Sequence, residues 1–315
     1  MISAEAVRPR ERCAQSRRSL GAVTVLAMLL VLAACEQPAH VHFDGKRAYA
    51  HARTQMEWGP RPVGSEEAAK TAEYIARHLE RYGWTVEYQD FAVQGLQIRN
   101  VIGKKGAGPV VILGTHLDTR PVADLDPVNR SLPVPGANGG ASGVGVLLEL
   151  ARALGPEATD QAEIRLAFFD GSTRGGLGSF PECAGARHMA DKLLESPDLR
   201  RVRYTLMIDL VGDADQQFYY EWNSTMWVQE RVWAVAAELN YQSYFVPEHR
   251  HNLVSDHLVF VNRGLPVALI ADGDYAYKDT TQDTLDKISA DSLQRVGDVL
   301  ESLLEGEPFA VGPSE

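Results

Sequence analysis

Apolar residues recur along this chain with two different periods. Between residues 65 and 82, Ala68, Ala72, Ile75, Leu79 and Tyr82 fall three or four apart, on one face of a predicted helix. Glu66 and Glu67 in its first turn and Gly83 at its end fit helix start and stop signals. Helical spacing returns over residues 141–154, 226–239 and 290–304, and more weakly over 186–194. Between these lie strand-like runs at residues 85–93, 96–102, 204–210 and 218–222. Residues 110–113 and 266–271 are solid apolar runs, and residues 164–169 are apolar apart from Arg165. Residues 121–138 form a long loop rich in Pro, Asp and Asn, of the kind that carries function or is held by a neighbour. Trp222, Trp227 and Trp233 read as core or pocket lining.

Strands that alternate with helices, several of them apolar throughout, predict an α/β fold. The expectation is a single-domain three-layer sandwich, a mostly parallel central sheet with helices on both faces. No internal repeat or low-complexity block interrupts it.

The first residues stand apart. Arg17 and Arg18 precede an uncharged run over residues 20–34, which ends Leu32-Ala-Ala-Cys35. A basic start, a short apolar run and small residues before the break describe a secretory signal. Leu-Ala-Ala-Cys is similar to the bacterial lipobox, whose cysteine is acylated and becomes the new N-terminus. The expected organisation is therefore a lipoprotein signal peptide (1–34), a lipidated N-terminus and linker (35–54), the folded domain (55–308) and a tail (309–315). Each buried methylene of the acyl chains adds about 0.8 kcal/mol, enough in two or more chains for a stable anchor. An exported protein held to a bacterial cell-envelope membrane through Cys35 follows, on the periplasmic face if there are two membranes.

Loss of residues 1–34 removes five Arg and two Glu and takes the net charge from −11 to −14. A chain this acidic excludes general nucleic-acid binding. Of the three cysteines only Cys183 lies in the domain, so no disulfide within it and no Cys/His zinc spacing is available.

In such a sheet, chemistry gathers just past the carboxyl ends of strands. Those places hold His116 and Asp118, Asn138-Gly139-Gly140, Asp170-Gly-Ser172-Thr173, Asp209, and Lys278 with Asp279. The cluster Ser255-Asp256-His257 lies before the last strand. His-x-Asp at a strand end suits either metal ligation or hydrogen bonding to its own loop. Asn138-Gly139-Gly140 before a helix suits a backbone anion site. His249 and His251 read as part of a solvated loop, and Cys183 has no visible activating partner.

Dispersed motifs, in order from about residue 55 to 305, resemble the zinc aminopeptidase clan, and within it the glutaminyl-peptide cyclotransferases and their bacterial relatives. They are Gly59-Pro-Arg-Pro-Val-Gly-Ser65, Gly114-Thr-His-Leu-Asp-Thr119, Pro135-Gly-Ala-Asn138, Ala141-Ser-Gly-Val144, Leu147-Leu-Glu-Leu-Ala-Arg152, Phe168-Phe-Asp-Gly171, Ile208-Asp-Leu-Val-Gly212, Asp256-His257 and Thr280-Thr-Gln-Asp-Thr-Leu285. The resemblance implies a zinc-exopeptidase fold and a zinc ion. In that family the ion is held by a turn carboxylate, a carboxylate after Phe-Asp-Gly and a His near the C-terminus. A Glu directly after Phe-Asp-Gly serves as general base or acid.

Set against that pattern, the turn carboxylate is Gly139, the general base is Ser172, the next ligand is Thr173, and Asp279 stands at the histidine. His116, Asp118 and Asp209 survive. Catalytic zinc ordinarily takes three protein ligands plus water, and loss of the base alone removes about 10²–10⁴-fold of rate. These departures predict a catalytically impaired pseudoenzyme that binds peptide or protein N-termini or a protein partner, with zinc absent or weakly held. Two salvage arrangements keep chemistry. A rearranged metal site would use His116, Asp209 and Asp279, with Asp118, Asp256 and His257 in support. Alternatively, Ser172 would act as a nucleophile with His116 or His257 as base. A purely structural envelope lipoprotein is the third expectation.

Overall fold

The structure is a computed structural model that describes Met1 and residues 41–306. Cys35 and the proposed signal lie outside the described residues, as does the tail. Among the described residues no helix is long and apolar enough to cross a membrane.

A six-stranded sheet forms the middle layer, in the order β1-β2-β4-β3-β5-β8. Its strands are β1 (Thr85–Val93), β2 (Leu96–Lys105), β3 (Val110–His116), β4 (Glu163–Phe169), β5 (Val202–Asp209) and β8 (Val267–Ala271). β3, β4, β5 and β8 pair in parallel, while β1–β2 and β2–β4 are antiparallel. The parallel strands are buried along most of their length, because both faces are covered, although β4 carries Glu163 and Arg165 and β5 carries Arg203. On β3, Val111 and Leu113 enter one core while Val110 and Ile112 enter the other.

The first core is closed by α2 (Glu66–Arg81), α3 (Gly143–Ala153), α6 (Met226–Glu238) and α8 (Ala290–Glu305). The second is closed by α5 (Ala184–Leu194) and the short α7 (His257–Val261). A single turn, α4 (Pro156–Thr159), precedes β4. This is the three-layer mixed sandwich expected from the pattern.

Three segments differ from the sequence expectation. The linker read over residues 35–54 carries a helix, α1 (Gly45–Trp58), capped by Asp44, whose side chain accepts from the Lys46 amide. Its inward face is Ala48, His51, Ala52 and Gln55, too small and polar to register as an apolar stripe. It packs on α3 and α8 so closely that a Cβ on Gly145 would lie 2.4 Å from the Ala48 carbonyl oxygen. The folded unit therefore starts near Val41.

Second, residues around His249 and His251 are not a loop. They form β7 (Phe245–His251), parallel to β6 (Phe218–Glu221) in a separate two-stranded sheet. Third, Trp222 is exposed, whereas Trp233 is buried as expected.

Candidate functional site

The ends of β3, β4 and β5 and the loops around them enclose a cavity of about 190 Å³. His116, Ser172, Thr173, Asp209, Ser255, Asp256, Lys278 and Asp279 line it. The strand-end residues singled out from sequence are thus brought to one place.

At its centre His116 is fully engaged. Its Nδ1 lies 2.9 Å from the Asp118 carbonyl oxygen and its Nε2 lies 3.2 Å from Asp209 Oδ1. Both partners only accept, so both ring nitrogens donate and the ring is an imidazolium. Burial disfavours that charge, but the carboxylates of Asp209, Asp118 and Asp256 outweigh it and push His116 up to about 10. Zinc binds the lone pair of a neutral imidazole, so a metal at His116 would have to displace the proton shared with Asp209.

Asp118 is equally occupied. Its Oδ1 accepts from the Ser172 amide at 3.1 Å, and its Oδ2 accepts from the Thr173 amide and hydroxyl at 3.0 and 2.6 Å. The Ser172 hydroxyl donates to Asp256 Oδ1 at 2.8 Å. Burial, aided by the charges of Asp118 and Asp209, raises Asp256 to about 6 against the pull of His116 and Ser172. Burial also opposes ionisation of Asp209, yet His116, Lys278 and the Ser255 hydroxyl hold it below the usual carboxylate range.

The glycine turn ahead of α3 holds a carboxyl group, and that group is internal. Asp283 accepts from the amides of Asn138 and Gly139 at 2.8 and 3.0 Å and from the Tyr275 hydroxyl at 2.8 Å. A Cβ on Gly139 would lie 3.2 Å from Asp283 Oδ2. Gly140 adopts φ 98°, a left-handed conformation that favours glycine.

These residues do not fit a zinc ion. Gly139 has no ligating side chain, the Thr173 hydroxyl is spent on Asp118, and His116 is paired with Asp209. Among the described residues no group of three or more His, Cys, Asp or Glu side chains is placed to hold a metal. The rearranged site of His116, Asp209 and Asp279 is therefore not formed. Burial raises Asp279, with Lys278 and Arg120 opposing, and its backbone sits at φ 55°.

The nucleophile arrangement fails as well. Ser172 donates to Asp256, and neither histidine accepts its proton. His257 lies outside the cavity lining, buried, with Nε2 3.1 Å from Glu221 Oε2. His249 stacks on Trp222, and His251 faces Asp274 at 3.5 Å. Cys183 lines the cavity just ahead of α5 with φ 54°, and burial raises its thiol far above the reactive range.

Two supporting arginines escaped the sequence reading. Arg61, fully buried, donates to the carbonyls of Gly59, Leu117, Pro135 and Gly136 and so ties three loops together. Its signal was an arginine between two prolines. Arg120 pairs with Asp124 and donates to the Thr173 and Gly175 carbonyls, holding the loop after β4 against the cavity.

The model of peptidase family M28 matches residues 100–304. Glutaminyl-peptide cyclotransferase of Drosophila melanogaster is 26% identical over 239 residues, covering 66% of each chain. Of the curated relatives it matches, the chain spans 66% of the length or less. Among solved structures, a Zn-dependent exopeptidase from Parabacteroides distasonis superposes with TM-score 0.77 at 27% identity, covering 85% of this chain and 100% of that one. Tannerella forsythia glutaminyl cyclase superposes with TM-score 0.75 at 31% identity, covering 84% and 99%.

Proposed function

Because the chain belongs to peptidase family M28 while its described residues offer no metal-holding cluster, we propose that it is a pseudoenzyme that binds peptide or protein N-termini without turnover. The observation that carries this reading is the closed hydrogen-bond network of His116, Asp118, Ser172 and Thr173 at the positions where zinc chemistry is expected. The cavity nevertheless stays open beside that network. Loss of ligands has not been followed by filling of the space, which supports a retained binding role over a purely structural one. Relatives that carry the names glutaminyl cyclase and exopeptidase support a peptide end as the bound group.

Metal content and turnover of the full-length chain, purified without chelators, test the reading. Zinc far below one per chain and no cyclisation of Gln-initiated peptides are expected, together with measurable peptide binding. Near-stoichiometric zinc with turnover overturns it.

The signal-like start and Cys35 support attachment to an envelope membrane through lipid on that cysteine. Cys35→Ser is expected to move the protein from the membrane to the soluble fraction of a bacterial lysate. Unchanged fractionation removes the anchor from the proposal.

A further inference from the structure

Three cationic side chains line the cavity, and two of them are already engaged. His116 is paired with Asp209, and Arg120 with Asp124. The third is Lys278, whose ammonium makes no ion pair or hydrogen bond among the described residues. Asp279, next in the chain, lines the same cavity, and its carboxyl group is likewise without such a partner, Lys278 included. The charge of Lys278 still acts on both Asp209 and Asp279 and favours their ionised forms. An ammonium and a carboxyl group thus stand on one cavity wall without closing on each other.

The turn that carries them is fixed from both sides. The Thr281 amide donates to Asp126 Oδ2 at 2.9 Å, and the Thr280 hydroxyl donates to the Tyr277 carbonyl at 2.7 Å. The Leu125 amide donates to the Asp279 carbonyl at 3.3 Å. Asp279 itself holds φ 55°, a left-handed conformation uncommon for a residue with a side chain. Such conformations persist where the surroundings over-determine them, and they gather at ligand sites. The other acids of the lining are occupied or at the surface. Asp209 accepts from Ser255 and faces His116, Asp256 accepts from Ser172, and Asp283 accepts from Tyr275 and two amides, while Glu182 is exposed. At about 190 Å³ the cavity is smaller than the roughly 300–1,000 Å³ of sites for drug-sized ligands, a size that suits one terminal residue.

We propose that the cavity selects peptides whose first residue is acidic, Glu or Asp. Lys278 donates to the side-chain carboxylate of that residue, and Asp279 accepts from its terminal ammonium. This rests on the reading that the cavity takes a peptide end, and it names the end that is preferred. A hydrogen bond between two charged groups is roughly twice as strong as one between neutral groups, so Glu gains over its isostere Gln. The chain as a whole carries a net charge of −11, which disfavours acidic peptides at long range. A preference for them therefore has to come from a local cation.

Fluorescence polarisation of the full-length chain with three peptides, each dye-labelled on its C-terminal Lys, tests the proposal. Glu-Gln-Gly-Gly-Lys and Gln-Glu-Gly-Gly-Lys have the same composition and charge, and Gln-Gln-Gly-Gly-Lys lacks the acid. The first is expected to bind about tenfold more tightly than either of the others, the scale of one charge-assisted contact. Lys278→Met should bind all three about equally, at the parent's affinity for Gln-Gln-Gly-Gly-Lys and with the parent's melting temperature. Asp279→Asn, which tolerates the left-handed backbone, should weaken all three alike. Equal binding of the three peptides by the parent overturns the selection but leaves the peptide-end reading standing. Failure of all three to bind overturns both. A preference for the first peptide that survives in Lys278→Met overturns the assignment to Lys278, and unchanged binding by Asp279→Asn overturns the role given to that carboxylate.

Discussion

Asp118 keeps its family position yet faces an internal set of partners: the residues after Phe-Asp-Gly donate to it instead of helping to hold a metal. One carboxylate, one serine and one threonine thus make a self-sufficient knot. If this knot and the missing ligands are what exclude zinc, restoring the family residues together should bring the metal back. The combined variant Gly139→Asp, Ser172→Glu, Thr173→Glu and Asp279→His is expected to take up close to one zinc per chain by elemental analysis, where the parent takes up little. A fully folded variant that stays metal-free would sink this explanation. Arg61 makes the second residue-level case. Its guanidinium donates to four backbone carbonyls and is wholly buried. Arg61→Leu leaves those carbonyls without donors, a loss of about 3 kcal/mol or more, which a denaturant titration reads directly.

At the scale of elements, the contact of α1 with α2 sets the buried ring of His51 against the half-buried rings of Tyr74 and His78. His51 Nδ1 lies 2.7 Å from the Tyr74 hydroxyl, and its ring centroid lies 4.8 Å from that of His78. Burial, and then the charges of His78, Arg47 and Arg152, push His51 down to about 3. The unfolded chain binds this proton at a higher pH than the folded one, so stability falls as pH drops below about 6.5, by about 1.4 kcal/mol per pH unit. Between pH 7 and 5 the melting temperature of the parent should fall relative to that of His51→Phe, because only the parent loses the His51 contribution. An identical slope in both would place the acid sensitivity elsewhere. The same helix meets α3 at Gly145, where a side chain would strike the Ala48 carbonyl. Gly145→Val is expected to destabilise by roughly 1–3 kcal/mol, the range of overpacked cores, visible as a lower melting temperature at every pH.

For the whole molecule, α1 decides where the domain begins. It covers faces of α3 and α8 that would otherwise expose Ala48-facing and Phe43-facing surfaces, and Gly297 abuts the Phe43 ring itself. A chain that starts after residue 58 should therefore aggregate or melt at markedly lower temperature, whereas one that starts at residue 41 should fold. Equal stability of the two in a thermal scan would contradict this placement of α1.

The sequence by itself determined the layered α/β scaffold, because strands covered on both faces read as mostly apolar runs and helices show one apolar face. It also carried the resemblance by which Gly139, Ser172 and Thr173 stand where two ligands and a base are expected, since those three residues are readable without coordinates. It did not show α1, whose buried face of Ala, His and Gln carries no apolar contrast, nor β7, whose polar run Glu248–His251 imitates a loop. Only the tertiary structure decided what the surviving groups do. His116 and Asp209 lie 93 residues apart in the chain, and spacing cannot distinguish two ligands of one ion from two halves of an ion pair. Whether they share a metal or each other depends on which donors reach Asp118, Asp256 and Asp283, and those donors come from loops that only the folded sheet brings together.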